Sequence, residues 1–429
     1  MDLLSGAPPE EPGDADALLN LAARAARTSV EPLSPRNMAY VPSGGLPSAM
    51  AAAMLTTGFN RVTWVPDLNP AMVAVEQGVM AWLCHLFSLP PSAVGTTHTG
   101  TSLATLTALT AARQDRLGDD LANATAYTTR HTHPVVLRAL RITGLPADAV
   151  RTIPTTADLR MDPDAAAAVV REDRRAGRRP FLLIANAGTT LTGTIDPLAE
   201  LADLASREEL WLHVDAAYGG AFQLTDRGRR RLDGVHRADS ITLDPHKGFF
   251  LPHGSGVLLV RDVASLHAAF SLYGDCLVDL HPVADLPTYS DLGPELTREY
   301  RGLRLWFPLH LHGLAAFRTV LDRMLDLALY AHQALARDSL TETLPYAPDL
   351  TVVPFRLRDA DDTANRALLE HINATGDLFL SGAELDGRYV LRLCLLDQRL
   401  RPEHLDQALA VIRSSARLIQ GGDHPLETP

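Results

Sequence analysis

Between about residue 56 and residue 270, short apolar runs alternate with helical patterns, and this restricts the chain to a mostly parallel sheet covered on both faces. Four strands follow directly from the apolar runs: Phe181 to Ala185, Leu210 to Asp215, Ser240 to Leu243 and Gly256 to Val260. Each of the first three passes straight into polar or small residues. In open α/β sheets the crevice beyond the carboxyl ends of the strands is where ligands bind. Asn186 to Thr190, Asp215 to Tyr218 and Asp244 to Lys247 are therefore expected to converge there.

The 429 residues exceed what one simple core needs and suit a large domain plus a smaller one. Residues 1–55 combine a helical pattern from Ala15 to Ala26 with breaks at Pro32, Pro35 and Gly44-Gly45, which reads as an N-terminal arm. The large α/β domain is assigned to 56–310. Within it, residues 271 to 297 lack periodicity and are dense in Asp, Pro and Gly, the pattern of a long mobile loop, and such loops are usually functional or disordered. A helix is expected over about 300 to 337. The remainder, 311–429, reads as a small C-terminal α+β domain with a helix at Thr363 to Ala374, strands at Leu378 to Ser381 and Tyr389 to Cys394, and a last helix from Pro402.

A net charge of -12 argues against a nucleic-acid partner, since phosphate backbones reward clustered Lys and Arg. The run from Arg171 to Arg179 is interspersed with Glu172, Asp173 and Gly177, as on a solvated helix end. Cys84, Cys276 and Cys394 are odd in number and widely spaced, so they offer neither a disulfide framework nor a zinc set. The acidic, proline-containing start lacks the pattern of a signal peptide, and no apolar stretch reaches the roughly 18–20 residues that span a bilayer. A cytoplasmic protein without a membrane partner is expected. His131 with His133 and His310 with His312 lack the accompanying Cys or carboxylate ligands of a metal site, and none is assigned.

Three segments carry chemistry. LHVDAAYGGAF, residues 212 to 222, ends a strand in Asp215 followed by small residues that let a flat ring approach the backbone, and a carboxylate there can hold a pyridine nitrogen protonated. SITLDPHKGFF places Lys247 just past another strand, where a partly desolvated amine can lose its proton and attack a carbonyl carbon. HTGTSLATLTALTAAR, residues 98 to 113, opens a helix with Gly100, Thr101 and Ser102, which can offer backbone and hydroxyl donors to a phosphate. Such a helix start is by itself only an N-cap. Beside a Schiff-base lysine and a ring-pairing carboxylate it reads as a phosphate cup.

These segments resemble the group II pyridoxal-dependent decarboxylases, which include the aromatic amino acid, glutamate and diaminobutyrate decarboxylases of fold type I. The resemblance extends over nearly the whole chain and implies pyridoxal 5'-phosphate as cofactor, a homodimer, and α-decarboxylation of a small-molecule L-amino acid. It implies that Lys247 holds the cofactor as an internal aldimine, that Asp215 pairs with the pyridinium nitrogen, that His246 sits beside the lysine and that Ala217 lies against the ring. HPVVLRALRITGL matches the stretch in which a histidine stacks on the cofactor, which selects His133 over His131. Thr189 and Thr190 match the family's Gly-Thr-Thr turn beside the ring. An ungapped match running back from LTREYRGLRLWF places Tyr289 on the loop tyrosine that protonates the substrate carbon.

The chain departs from many relatives at Gly248-Phe249-Phe250, where a tryptophan follows the lysine, and at Gly100-Thr101-Ser102-Leu103, where they carry Gly-Gly-Ser-Glu. The DPHKG pattern resembles a subgroup of secondary metabolism, including lincosamide-pathway relatives. It raises a rival activity, oxidative deamination or β-elimination of a cysteine S-conjugate. Arg392 could bind a substrate carboxylate, as a related arginine does in aminotransferases. A decarboxylase gains from leaving that carboxylate poorly solvated, which favours a structural role.

Overall fold

The computed structural model describes residues 7–8, 10–31, 33–41, 44–271 and 283–421. Its centre is a seven-stranded sheet of β1 (Val94–His98), β2 (Ala124–Thr129), β3 (Val150–Ile153), β4 (Arg179–Asn186), β5 (Trp211–Asp215), β6 (Ser240–Leu243) and β7 (Gly256–Val260). The spatial order is β1-β7-β6-β5-β4-β2-β3. The pairings from β6 through β5, β4 and β2 to β3 are parallel, whereas β7 runs antiparallel to both β6 and β1.

Both faces of this sheet are buried, which explains the continuous apolar run of β4. Leu183 and Ala185 face one core with Leu212, Val214 and Ile241, while Phe181, Leu182 and Ile184 face the other with Ala104, Ala108 and Leu258. Side chains alternate along a strand, so a run without polar positions requires a covered layer on each side. The flanking helix Pro163–Arg175 shows how such a start is fixed. Asp162 accepts hydrogen bonds from the N–H groups of Asp164 and Ala165, with Pro163 in the first turn.

The smaller layer is a four-stranded sheet, β10-β11-β9-β8, built from β8 (Thr341–Thr343), β9 (Val352–Leu357), β10 (Ser381–Leu385) and β11 (Arg388–Cys394). Its Val353, Phe355, Leu391 and Leu393 pack with Leu368, Ile372, Leu405 and Ile412 of the helices Asp362–Ala374 and Pro402–Gln420. The first strand starts at Ser381, where one over Leu378 to Ser381 was expected. The turn at Asp386 and Gly387, both with positive φ, fixes the hairpin register, and Phe379 instead bridges to Asn37.

Two expected boundaries fall inside helices. The helix Pro47–Phe59 runs through position 55. Gly302–Arg337 carries the chain continuously across 310 into the smaller layer, with its one non-helical residue at Gly313. No helix among the described residues is long and apolar enough to cross a membrane. Cys84 and Cys394 are buried free thiols, and Cys276 lies outside the described residues.

Candidate active site

Parallel β4, β5 and β6 end side by side, with Asn186 paired to Asp215 and Asp215 to Thr242 in register. The expected convergence at the carboxyl ends is thus built into the sheet. Asp215 is buried at the tip of β5. Its Oδ1 accepts the Ala217 N–H at 3.1 Å, and the charged groups that influence it are Lys247, His133 and Asp244. Burial pushes its carboxyl above the usual range; Lys247, the Ala217 N–H and His133 pull in the opposite direction. A dry carboxylate with a single hydrogen-bond donor among the described residues has capacity left for a cation.

Ala217, in the turn after β5, is only partly buried. The Ala217 carbonyl accepts the Asp244 N–H at 3.1 Å, so the residue after β5 is tied to the residue after β6. Gly219 has to be glycine, since a Cβ there would lie 2.0 Å from the Ala187 carbonyl oxygen. Lys247 stands on the one-turn helix Pro245–Gly248, with its Nζ 3.1 Å from Asp244 Oδ2. His246 turns away from the lysine to donate Nδ1–H to the Ser255 carbonyl at 2.8 Å. Burial lowers its pKa.

His133 caps the helix Pro134–Ile142, its Nδ1 accepting the Val135 N–H at 3.2 Å. Burial lowers its pKa, the Asp215 charge opposes this and Lys247 reinforces it. With Nδ1 occupied as an acceptor, the neutral ring carries its proton on Nε2. Asn186 fixes the turn before His133. Its Nδ2–H groups reach Thr132 Oγ1 at 3.1 Å and Asp196 Oδ2 at 2.8 Å, while Asp196 also accepts the N–H groups of Asn186 and Met161.

The expected phosphate donors are partly committed elsewhere. Thr101 opens the helix Thr101–Leu117, and both its N–H and its hydroxyl donate to Asp244, each at 2.9 Å. Ser102 is exposed at the same helix start. Gly100 lies against Gly256, where a Cβ would come within 2.3 Å of the Gly100 carbonyl carbon. Thr189 spends its hydroxyl inside its own turn, on Thr192 Oγ1 at 2.8 Å and the Thr194 N–H at 3.2 Å. The Thr190 carbonyl accepts from Arg392, whose other arm reaches Ser381 Oγ at 2.9 Å.

Tyr289 is not brought to this group. It lies in a short turn, Tyr289–Asp291, and is 2% exposed within the core that holds Ala108, Leu109 and Leu292. The Arg298 guanidinium covers its ring at 4.4 Å, and the charges around its hydroxyl are Glu76, Arg298 and Cys84. In this chain the ring is therefore packed beneath an arginine within the core. Asp244 was the residue not singled out from the sequence. Its signal was the Asp-Pro-His-Lys spacing, which on one helical turn brings a carboxylate back onto the lysine amine.

Seven strands in this order, with a lysine, a buried carboxylate and a histidine gathered at their carboxyl ends, define a fold type I pyridoxal-phosphate enzyme. Residues 1–358 match the pyridoxal-dependent decarboxylase conserved domain, and the chain belongs to that family. Among its relatives are the aromatic-L-amino-acid decarboxylase of Bacillus atrophaeus, 35% identical over 89% of this chain and 81% of that protein, and the phenylacetaldehyde synthase of Arabidopsis thaliana, 31% identical over 89% and 82%. The crystal structure of Oryza sativa TDC with PLP and tryptamine superposes with a TM-score of 0.91 at 28% identity, covering 97% of this chain and 90% of that one. The protein is thus a pyridoxal-phosphate-dependent decarboxylase acting on the α-carboxylate of an L-amino acid.

The side chains present suit that cofactor. A buried carboxylate with spare capacity, a lysine amine under the influence of the same charges and a helix start with an exposed Ser102 are groups of the kinds that a ring nitrogen, an aldehyde and a phosphate require.

Proposed function

We propose that this decarboxylase takes an aromatic L-amino acid, with Lys247 carrying the cofactor, Asp215 on the ring nitrogen, Ala217 and His133 on its two faces, and Ser102 with the Gly100-Thr101 turn at the phosphate. The bound cofactor supplies an electron sink for the pair left when carbon dioxide departs. Asp215 keeps a proton on the ring nitrogen, because a dry carboxylate gains most when a cationic N–H faces it. His133 remains neutral there, and its Nε2–H points a donor at the reacting region while Val135 holds the ring orientation. Asn186 and Thr132 keep that turn in place. Thr189, Thr190 and His246 act through the backbone, shaping the walls. Arg392 secures the Thr190 carbonyl, which fits the structural role favoured from its sequence.

The observation that carries this reading is the position of Asp215, buried and influenced by both Lys247 and His133. The aromatic substrate class rests on the relatives. Absorbance from 300 to 500 nm with added cofactor, in wild type and Lys247→Ala, followed by product analysis over an amino-acid panel, tests it. A borohydride-reducible band lost in the variant, with arylalkylamine and carbon dioxide formed, is expected. Aldehyde, ammonia and peroxide would move the activity to the oxidative alternative, which the phenylacetaldehyde synthase among the relatives keeps in play.

A cytoplasmic homodimer completes the proposal. The helix Ala15–Arg27 buries none of its residues in the single chain and exposes Leu18 and Leu19, and the helix Pro47–Phe59 exposes Met54, Leu55 and Phe59. An isolated helix of this length is marginal in water, so a second copy is the covering surface these faces suit. Light scattering of the purified protein reads the oligomer directly.

A further inference from the structure

We infer that Asp244 is the positioning residue for the lysine amine, holding Lys247 against the first turn of the phosphate-side helix whenever that amine is free. The carboxylate is buried, 4% exposed, and three donors converge on it: the Thr101 N–H and hydroxyl at 2.9 Å each and Lys247 Nζ at 3.1 Å. Its own N–H is donated to Ala217, so the residue is tethered to the ring side of the site through its backbone and to the phosphate side through its side chain. His246 Nδ1 lies 3.6 Å away but is given to Ser255. Lys247 is therefore the charged partner that closes the group.

This arrangement acts at a defined moment. When an incoming amine displaces Lys247, its nitrogen forms the C=N bond that the lysine nitrogen gives up. Two protons pass from the incoming amine to the lysine nitrogen, with no change of oxidation state. The freed side chain has a flexible four-carbon stem, and without an anchor it would sample many rotamers. Asp244 would give it one dry, charge-assisted position from which to return to the cofactor. The carboxylate thereby sets the rate at which the lysine recaptures the cofactor.

The inference rests on the assignment of Lys247 as the cofactor lysine, and the experiment separates the two. Holoenzyme is equilibrated with methylamine, which displaces the lysine but has no carboxylate to lose. It is then diluted rapidly while the return of the lysine-bound absorbance band is followed. In Asp244→Asn the return is expected to slow by about ten-fold or more, the effect of losing one charge-assisted hydrogen bond. Arg151→Ala, which removes the ion pair from the edge strand β3 to Asp173, away from the lysine, should return at close to the wild-type rate. An Asp244→Asn rate equal to wild type, with only the melting temperature lowered, would make Asp244 a helix cap and overturn the inference. Equal slowing in Arg151→Ala would overturn it as well. Should Asp244→Asn not fold, Asp244→Glu decides: a carboxylate displaced by one methylene slows the return if the inference holds and leaves it unchanged if it does not. Borohydride reduction and peptide mapping of the wild type, finding the cofactor on a residue other than Lys247, would instead remove the underlying assignment.

Discussion

The Glu76 carboxylate and the Arg298 guanidinium meet at 2.6 Å with neither side chain reaching solvent. The same guanidinium nitrogen donates to the Thr97 carbonyl at 2.9 Å, and Thr97 Oγ1 donates to Glu76 at 2.7 Å. The pair thus clamps the end of β1 two residues before the loop that leads to the phosphate-side helix. Breaking a buried pair from one side strands the other charge. Glu76→Gln is expected to cost about 3–5 kcal/mol of folding stability. Urea unfolding measures it, and a loss under about 1 kcal/mol, the range of exposed pairs, would show that the clamp carries little.

Tyr289 leads to a different expectation from the one its sequence position suggests. Its hydroxyl is buried without a hydrogen-bond partner among the described residues, and burial and the nearby Glu76 push its pKa well above the ordinary value. Removing an unsatisfied buried hydroxyl is close to neutral or stabilising. Tyr289→Phe should therefore keep or slightly raise the melting temperature and leave the ratio of amine to aldehyde product unchanged. A shift toward aldehyde and peroxide would return Tyr289 to the proton-donor role.

What the sequence made legible follows from how each signal arises. β4, β5, β6 and β7 are dense in Val, Ile and Leu and stood out, because strands covered on both faces must be apolar throughout. β1, Val-Gly-Thr-Thr-His, and β2, Ala-Thr-Ala-Tyr-Thr-Thr, are equally buried but satisfy their hydroxyls internally, as Thr125 does with Tyr127 and Tyr127 with Asp173. Composition alone did not separate them from turns. Lys247 and Asp215 were legible because strand ends place them together, whereas His133 was legible only through the resemblance of its segment to the family. Thr101 was legible as a helix start, but its engagement by Asp244 depends on a contact between residues 143 positions apart. Tyr289 was placed by an ungapped count, which gives the position of a side chain along the chain and not the direction in which it packs.

His213 gives a pH dependence with a definite sign. It is wholly buried in β5. Its Nδ1 shares a hydrogen bond at 2.8 Å with the Ser240 hydroxyl, which also accepts the Trp211 Nε1–H. Burial pushes its pKa from 6.5 to about 3. The unfolded chain binds this proton below about pH 6.5 and the folded chain does not until about pH 3, so stability is lost as the pH falls through that window. The contribution is about 1.4 kcal/mol per pH unit and vanishes above the window. Urea unfolding at a series of pH values should show a shallower acid slope in His213→Asn than in wild type by about one proton. Parallel slopes would mean that the folded protein protonates this ring freely.

Gly256 tests whether the phosphate-side loop is set by backbone contact. It pairs with His98 across β1 and β7, and a Cβ at this position would lie 2.3 Å from the Gly100 carbonyl carbon and 2.6 Å from its Cα. Both are backbone atoms, which cannot turn aside as a long side chain would, so Gly256→Ala must displace either β7 or the loop into the helix Thr101–Leu117. Overpacking of this kind costs about 1–3 kcal/mol. The displaced loop precedes Thr101 and Ser102, so cofactor affinity should fall with it, by about ten-fold for each 1.4 kcal/mol of lost contact. Absorbance titration with pyridoxal phosphate, run beside pyridoxal without its phosphate, separates the effects. Weakened binding of the phosphorylated form alone places the damage at the phosphate end. An equal loss for both would place it at the ring and lysine and would refute the assignment of this loop to the phosphate.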